Sequence, residues 1–185
     1  MRLVSVQVGT PRTRPRPDQP GKRWRSAIYK TPVAGRVMLR TRNLDGDRQG
    51  DLKVHGGPNQ AALLYSADNY AKWKAEGFDF EPGSFGENLT VSGLDETTVC
   101  LGDIYRIGGA VVQVTKARGP CYKLQYRTGV PDLIKRVLAN GRSGWYVRVL
   151  EEGPVAAGDE IFRLQRLAAG EPLADPVPEG NPVLT

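Results

Sequence analysis

The chain has 185 residues, 39% hydrophobic and 25% charged, with a net charge of +6; these are the proportions of one globular domain with room for a small appendage. No apolar run reaches the roughly 18–20 residues of a membrane span, and Met1-Arg2-Leu3-Val4-Ser5-Val6 is interrupted too soon for a secretory signal, so a cytoplasmic location and no membrane partner are expected. Two cysteines, Cys100 and Cys121, and one histidine, His55, exclude a disulfide framework and a zinc site of the His/Cys type.

In chain order, Arg2 to Val8 alternates, with Val4, Val6 and Val8 on one face and Leu3 off phase. A Pro-rich excursion ends at Pro20-Gly21, and Trp24 to Lys30 returns as a second strand, so the two read as arms of a long hairpin. The whole charge excess lies here: residues 11–30 carry seven cations against Asp18 alone, and the rest of the chain has 19 of each sign. A basic arm of this kind can contact nucleic acid, face an anionic cofactor, or be a solvated Pro-rich loop. Gly35 to Arg40 reads as a third strand. Ser66 is an N-cap for a helix carrying Tyr70 and Trp73 and stopping at Gly77. Cys100, in the strand-like Thr97–Leu101, reads as a small buried hydrophobe.

Asp103 to Ile107 and Ala110 to Thr115 flank Gly108-Gly109, a hairpin signal. A second helix starts at Pro131-Asp132, shows Leu133, Ile134, Val137 and Leu138 on one face, and ends at Asn140-Gly141. Gly144 to Leu150 and Glu160 to Leu164 are further strands, and the tail from Gly170 contains four prolines and little to bury. Many short strands with few helices predict a mainly β fold, a closed or nearly closed β-barrel. Residues 1–167 form the barrel domain, with a basic hairpin insert at about 11–25, and 168–185 form the tail.

Arg118-Gly119-Pro120-Cys121-Tyr122-Lys123 sets a thiol in a Gly-Pro turn between two cations. Neighbouring positive charge favours the thiolate, the reactive and metal-binding form of cysteine. Four other clusters stand beside it: Lys30-Thr-Pro-Val; Gly46-Asp47-Arg-Gln-Gly-Asp51 followed by Val54-His55-Gly-Gly-Pro-Asn59; Pro82-Gly-Ser-Phe-Gly-Glu-Asn88-Leu-Thr90; and Asn140-Gly-Arg142-Ser-Gly-Trp145. Taken singly, Lys30 and Arg142 read as solvated charges. Asp47 and Asp51 lack the remaining ligands of a calcium loop and read rather as acceptors that orient backbone. His55 is a general base, a hydrogen-bond donor or a turn residue. Taken together, glycine-flanked polar residues at strand ends suit a rim that cradles a polyanion. Lys30, Arg118, Lys123 and Arg142 would supply charge there, Asn88 and His55 neutral donors, and Cys121 a soft ligand for a thiophilic metal.

This ordered set, continued by Gly102-Asp103, Gly141-Arg-Ser-Gly-Trp145-Tyr-Val-Arg148 and Gly158-Asp159, resembles the MOSC domain family, named for the C-terminal domain of molybdenum cofactor sulfurase. It is most similar to the small stand-alone bacterial branch linked to resistance against N-hydroxylated purines. The resemblance runs from about Met1 to Leu164. It implies a β-barrel of mostly antiparallel strands that binds the molybdenum cofactor, a pterin dithiolene with a phosphate. It also implies Cys121 as metal ligand or sulfur carrier, Lys30 and Asn88 as lining residues and, by extension, Asp47, His55, Arg118, Lys123 and Arg142. Relatives reduce N-hydroxylated substrates, so an oxidoreductase with a separate electron-donor reductase is expected.

Two other functions stand against that one: a carrier holding a persulfide on Cys121 or shuttling cofactor, and a nucleic-acid-binding arm. The last ranks lowest, because only Trp24 and Tyr29 interleave with the cations.

Overall fold

A computed structural model of the chain describes residues 1–50, 56–166, 170, 172 and 173. Twelve strands appear in order: β1 (Arg2–Val8), β2 (Arg12–Pro15), β3 (Arg23–Ser26), β4 (Thr31–Pro32), β5 (Val37–Leu39), β6 (Ala62–Ser66), β7 (Leu89–Ser92), β8 (Ile104–Ile107), β9 (Ala110–Ala117), β10 (Trp145–Glu151), β11 (Gly153–Val155) and β12 (Ile161–Gln165). Three helices join them: α1 (Ala67–Ala75), α2 (Tyr122–Thr128) and α3 (Leu133–Asn140). No helix among the described residues is long and apolar enough to cross a membrane.

Eight strands form one mixed sheet in the order β12-β8-β9-β10-β6-β7-β1-β4, while β5–β11 and β2–β3 are separate two-stranded ribbons. The fold is mainly β, as expected; of the closed or nearly closed barrel expected, the closed form is not met, since among the described residues no continuous ladder joins the sheet's ends. The gap between β1 and β12 is crossed by a single bridge, Arg2 to Glu160, with the Leu3 N–H donating to the Asp159 carbonyl at 2.9 Å and the Ile161 N–H to the Met1 carbonyl at 2.9 Å. The cause lies in β1, whose far end gives its free edge to β4 through Gln7 and Val8.

The expected phase of β1 also needs correction. Leu3 and Val6 are buried, whereas Val4 is exposed. The β1–β7 register steps from Leu3↔Val91 to Ser5↔Thr90, leaving Val4 as an extra residue. A bulge reverses the facing of everything after it, so two positions three apart share the core side. The long hairpin splits likewise: β1 pairs with β4 and β2 with β3.

One strand pair is parallel, β6 with β7, and α1 is the crossover such a pair requires. The Ser66 hydroxyl caps α1 by accepting the Asp68 N–H at 3.3 Å. Two cores result. Leu3, Val6, Leu89, Val91, Val112, Trp145 and Val147 fill the larger. Tyr65, Trp73, Phe85, Leu124, Leu133 and Val137 fill the second, which joins the three helices to β6. In it Phe85 stacks on Tyr65 with ring centroids 4.3 Å apart, and the Trp73 indole N–H donates to the Tyr65 hydroxyl at 2.7 Å. This second core fixes the loop before β7 and the turn before α2, two of the segments that face the cavity. Of the expected tail, Pro172 bridges Cys100, and the Leu173 N–H donates to the Val99 carbonyl at 3.1 Å. Cys100 is buried, as a small hydrophobe should be.

Candidate functional site

One cavity opens between the end of β3, the loop around Asp47, the Phe85–Asn88 loop, the Arg118–Lys123 turn and Tyr146 of β10. Among its walls are Lys30, Asp47, Asn88, Arg118, Cys121 and Lys123, six of the eight positions singled out in the sequence. His55 lies outside the described residues. Arg142 is elsewhere: it pairs with Glu76, and its guanidinium stands 5.1 Å from the Trp73 ring centre, on the second core.

Cys121 follows the turn at the end of β9 and is the N-cap residue of α2, with extended backbone and no capping hydrogen bond from its side chain. It is half-buried and unbridged. Three residues earlier, Arg118 is only 6% exposed. Its N–H donates to the Gly144 carbonyl at 2.9 Å, and Nη2 donates to the Phe85 carbonyl at 3.2 Å. Nη1 is buried with no hydrogen-bond partner, and no carboxylate among the described residues pairs with this cation. A buried charge left this way is costly unless something anionic meets it.

Opposite, Lys30 and Asp47 form a buried ion pair with side chains 8% and 1% exposed. The Asp47 carboxylate also accepts the Gly9 N–H at 2.8 Å and the Asn88 amide at 3.0 Å. Asn88 donates further to the Gln7 carbonyl at 3.3 Å and accepts the Leu63 N–H at 3.2 Å. Lys30, Asp47 and Asn88 are therefore a linked wall that ties β1, β6 and β7 together, and their charges largely cancel. Arg118 and Lys123 carry the cavity's net positive charge beside the thiol, with Arg48 adding to it.

The Gly-Ser-Phe-Gly-Glu-Asn loop is held from behind. Glu87, fully buried, accepts the Gly83 N–H at 2.6 Å, the Tyr70 hydroxyl at 2.5 Å and the Thr90 hydroxyl at 2.9 Å. Gly86 sits at φ 73°, and a Cβ there would come 2.7 Å from a side-chain carbon of Ile28, so only glycine closes this turn.

Ser26, Gln49, Gln60 and Tyr146 also line the cavity without having been singled out. Gln49 and Tyr146 each lie inside a quoted motif, but Gln60 and Ser26 carry no motif signal. Burial pushes the Tyr146 phenol above its ordinary range and Cys121 adds to this, while Arg118 opposes it; the hydroxyl keeps its proton at neutral pH. The cavity thus offers one soft sulfur donor, an unneutralised buried guanidinium, a second flanking cation and a protonated phenol. No group of three or more His, Cys, Asp or Glu that could hold a metal ion occurs among the described residues.

The sequence profile of the MOSC domain matches residues 51–162. The chain is 42% identical over 167 residues to "Uncharacterized protein YflK" of Bacillus subtilis (strain 168), covering 89% of this chain and 73% of that protein. It is 38% identical over 146 residues to a protein named "Reductase" from Gibberella moniliformis (strain M3125 / FGSC 7600), covering 76% of this chain but only 26% of that longer protein. Among solved structures, YiiM from Geobacillus stearothermophilus superposes with a TM-score of 0.75 at 35% identity, covering 93% of this chain and 79% of that one.

Proposed function

The chain belongs to the MOSC domain family, and from that premise we propose that it is a molybdenum-cofactor-dependent reductase of N-hydroxylated compounds, with Cys121 as the protein's metal ligand. The observation that carries the reading is Arg118: a buried guanidinium with one face unpartnered, in the same cavity as a thiol free of other duties. The residues fit a group that combines an anionic phosphate with a thiophilic metal. Arg118 and Lys123 would hold the anionic part, Cys121 would ligate the metal, and the Lys30–Asp47–Asn88 wall would fix the cavity's shape. When bound, this cofactor supplies two-electron redox chemistry, while the protein supplies binding, orientation and electrostatics.

The net conversion takes N–OH, two electrons and two protons to N–H and water. Tyr146 holds a proton at its hydroxyl oxygen on the cavity wall and can hydrogen-bond the substrate oxygen or give that proton up. The electrons come from a separate protein. The fungal relative named a reductase, within which the matching segment is about a quarter of the length, supports redox use of the domain.

The test is isolation from a host that makes the cofactor, with molybdenum measured by elemental analysis and reduction of 6-N-hydroxylaminopurine followed with a chemical reductant. Metal-loaded wild type should turn over, and Cys121→Ala should lose both metal and activity. Unchanged activity in that variant refutes the assignment. The half-buried, uncapped thiol also suits a sulfur carrier. That reading requires a mass increase of one sulfur on Cys121 and no molybdenum in the same preparation.

A further inference from the structure

The basic ribbon β2–β3 is not absorbed by the site's chemistry, yet it is built against the site. Its inner face is packed: Trp24 is buried, donates its indole N–H to the Pro15 carbonyl at 3.1 Å, and meets Tyr126 of α2 edge-on with ring centroids 5.2 Å apart. Arg14 and Arg127 stack on Tyr29 at 4.0 and 5.0 Å. Asp18, the one acid in residues 11–30, is already taken by Arg16 and Tyr126. Arg12, Lys22, Arg23 and Arg25 remain exposed, with no carboxylate partner among the described residues.

The cross-strand register sets Thr13 opposite Arg25 and Pro15 opposite Arg23, so both arginines of β3 share the outward face. Beyond Arg25, β3 runs directly into Ser26 and Ala27 on the cavity wall. The ribbon is thus a rigid, unneutralised cationic plate at the edge of the cavity that holds Cys121.

We propose that this ribbon is the docking surface for the acidic face of a small electron-donor protein. The inference rests on the reductase reading, which requires two electrons per N–O bond reduced. A flavin hydroquinone oxidised to the quinone supplies both electrons, or an iron–sulfur donor supplies one in each of two encounters, and the oxygen leaves as water with two protons. A plate of like charge beside the reacting cavity steers such a donor and sets its orientation. A protein partner is favoured over nucleic acid because Trp24, Tyr29 and Tyr126 face one another and the arginines, leaving the ribbon little bare ring for bases to stack on.

The test uses the full chain and a flavodoxin, a flavin protein with an acidic face. Wild type should bind it with an affinity that falls as salt rises. The double variant Lys22→Glu, Arg23→Glu, both at exposed positions outside the cavity lining, should bind at least about tenfold more weakly. Flavodoxin-driven reduction should fall in step, while reduction driven by methyl viologen stays at the wild-type rate. Equal affinity in the two proteins overturns the docking surface. So does wild type that binds a single-stranded 20-nucleotide DNA or a duplex of that length but not flavodoxin. Absence of viologen-driven turnover in metal-loaded wild type counts against the reductase reading alone, since the binding measurement does not depend on it.

Discussion

Lys30 and Asp47 meet on the cavity wall as an ion pair almost closed to water, and Asn88 donates to the second carboxylate oxygen at 3.0 Å. Breaking such a pair from one side strands a buried charge and costs about 3–5 kcal/mol, whereas removing both partners costs much less. Lys30→Met and Asp47→Asn should each lower the urea midpoint strongly. The double variant should be more stable than either single one. Additive losses would mean that the two side chains do not act as a unit.

Arg118 should behave in the opposite sense. Its replacement by methionine removes a buried cation whose Nη1 has no partner, which offsets the loss of one charge-assisted hydrogen bond to the Phe85 carbonyl, worth about 1.5–3 kcal/mol. Cofactor-free Arg118→Met is therefore expected to melt within a few degrees of wild type, while the molybdenum retained on isolation falls steeply. A variant that unfolds outright would give Arg118 a structural role instead.

Cys121→Ser separates ligation from folding. The thiol makes no capping bond at the start of α2, and serine is a better N-cap than most residues, by a few tenths to about 1 kcal/mol. Thermal stability should hold or rise slightly as metal content collapses. Full metal content in the serine variant would remove the sulfur from the site.

How far the sequence could be read follows from where its signals were local. The hairpin β8–β9 is legible because Gly108-Gly109 separates two strand-like runs, and α3 because its apolar positions repeat at helical spacing and Gly141 stops it at φ 70°. The strand β6 gives no alternation to read, since all five residues from Ala62 to Ser66 are buried, and a strand covered on both faces looks like any apolar run. Helix α2 opens on a cysteine rather than a favoured cap and buries only Leu124, so it leaves no stripe. The cavity's motifs were visible as glycine-flanked clusters, but their pairings were not. Lys30 finds Asp47 across 17 residues, and Arg142 is taken up by Glu76 across 66. Long-range pairings of this kind have no signature in a single chain.

The last prediction concerns acid. Asp103, from the Gly-Asp motif, is buried and accepts the Arg166 guanidinium at 2.7 and 3.1 Å, the Tyr105 hydroxyl at 2.9 Å and the Cys100 N–H at 3.1 Å. Burial by itself would push this carboxyl up, but Arg166 and the two other donors outweigh it and hold Asp103 below its ordinary value. A carboxylate lowered on folding stabilises the native state above its unfolded-chain value of about 3.9, and that contribution is lost as pH falls through the lower folded value. Arg166 is partly open to solvent, which screens the pair and keeps its worth to about 1–2 kcal/mol. Asp103→Asn should therefore be less stable than wild type at pH 7. Its urea midpoint should begin to converge on the wild-type curve below about pH 4, where the unfolded carboxyl takes up its proton, and meet it once pH has fallen through the lower native value. Midpoints that stay the same distance apart down to pH 3 would show that Asp103 stabilises the fold through packing rather than through its charge.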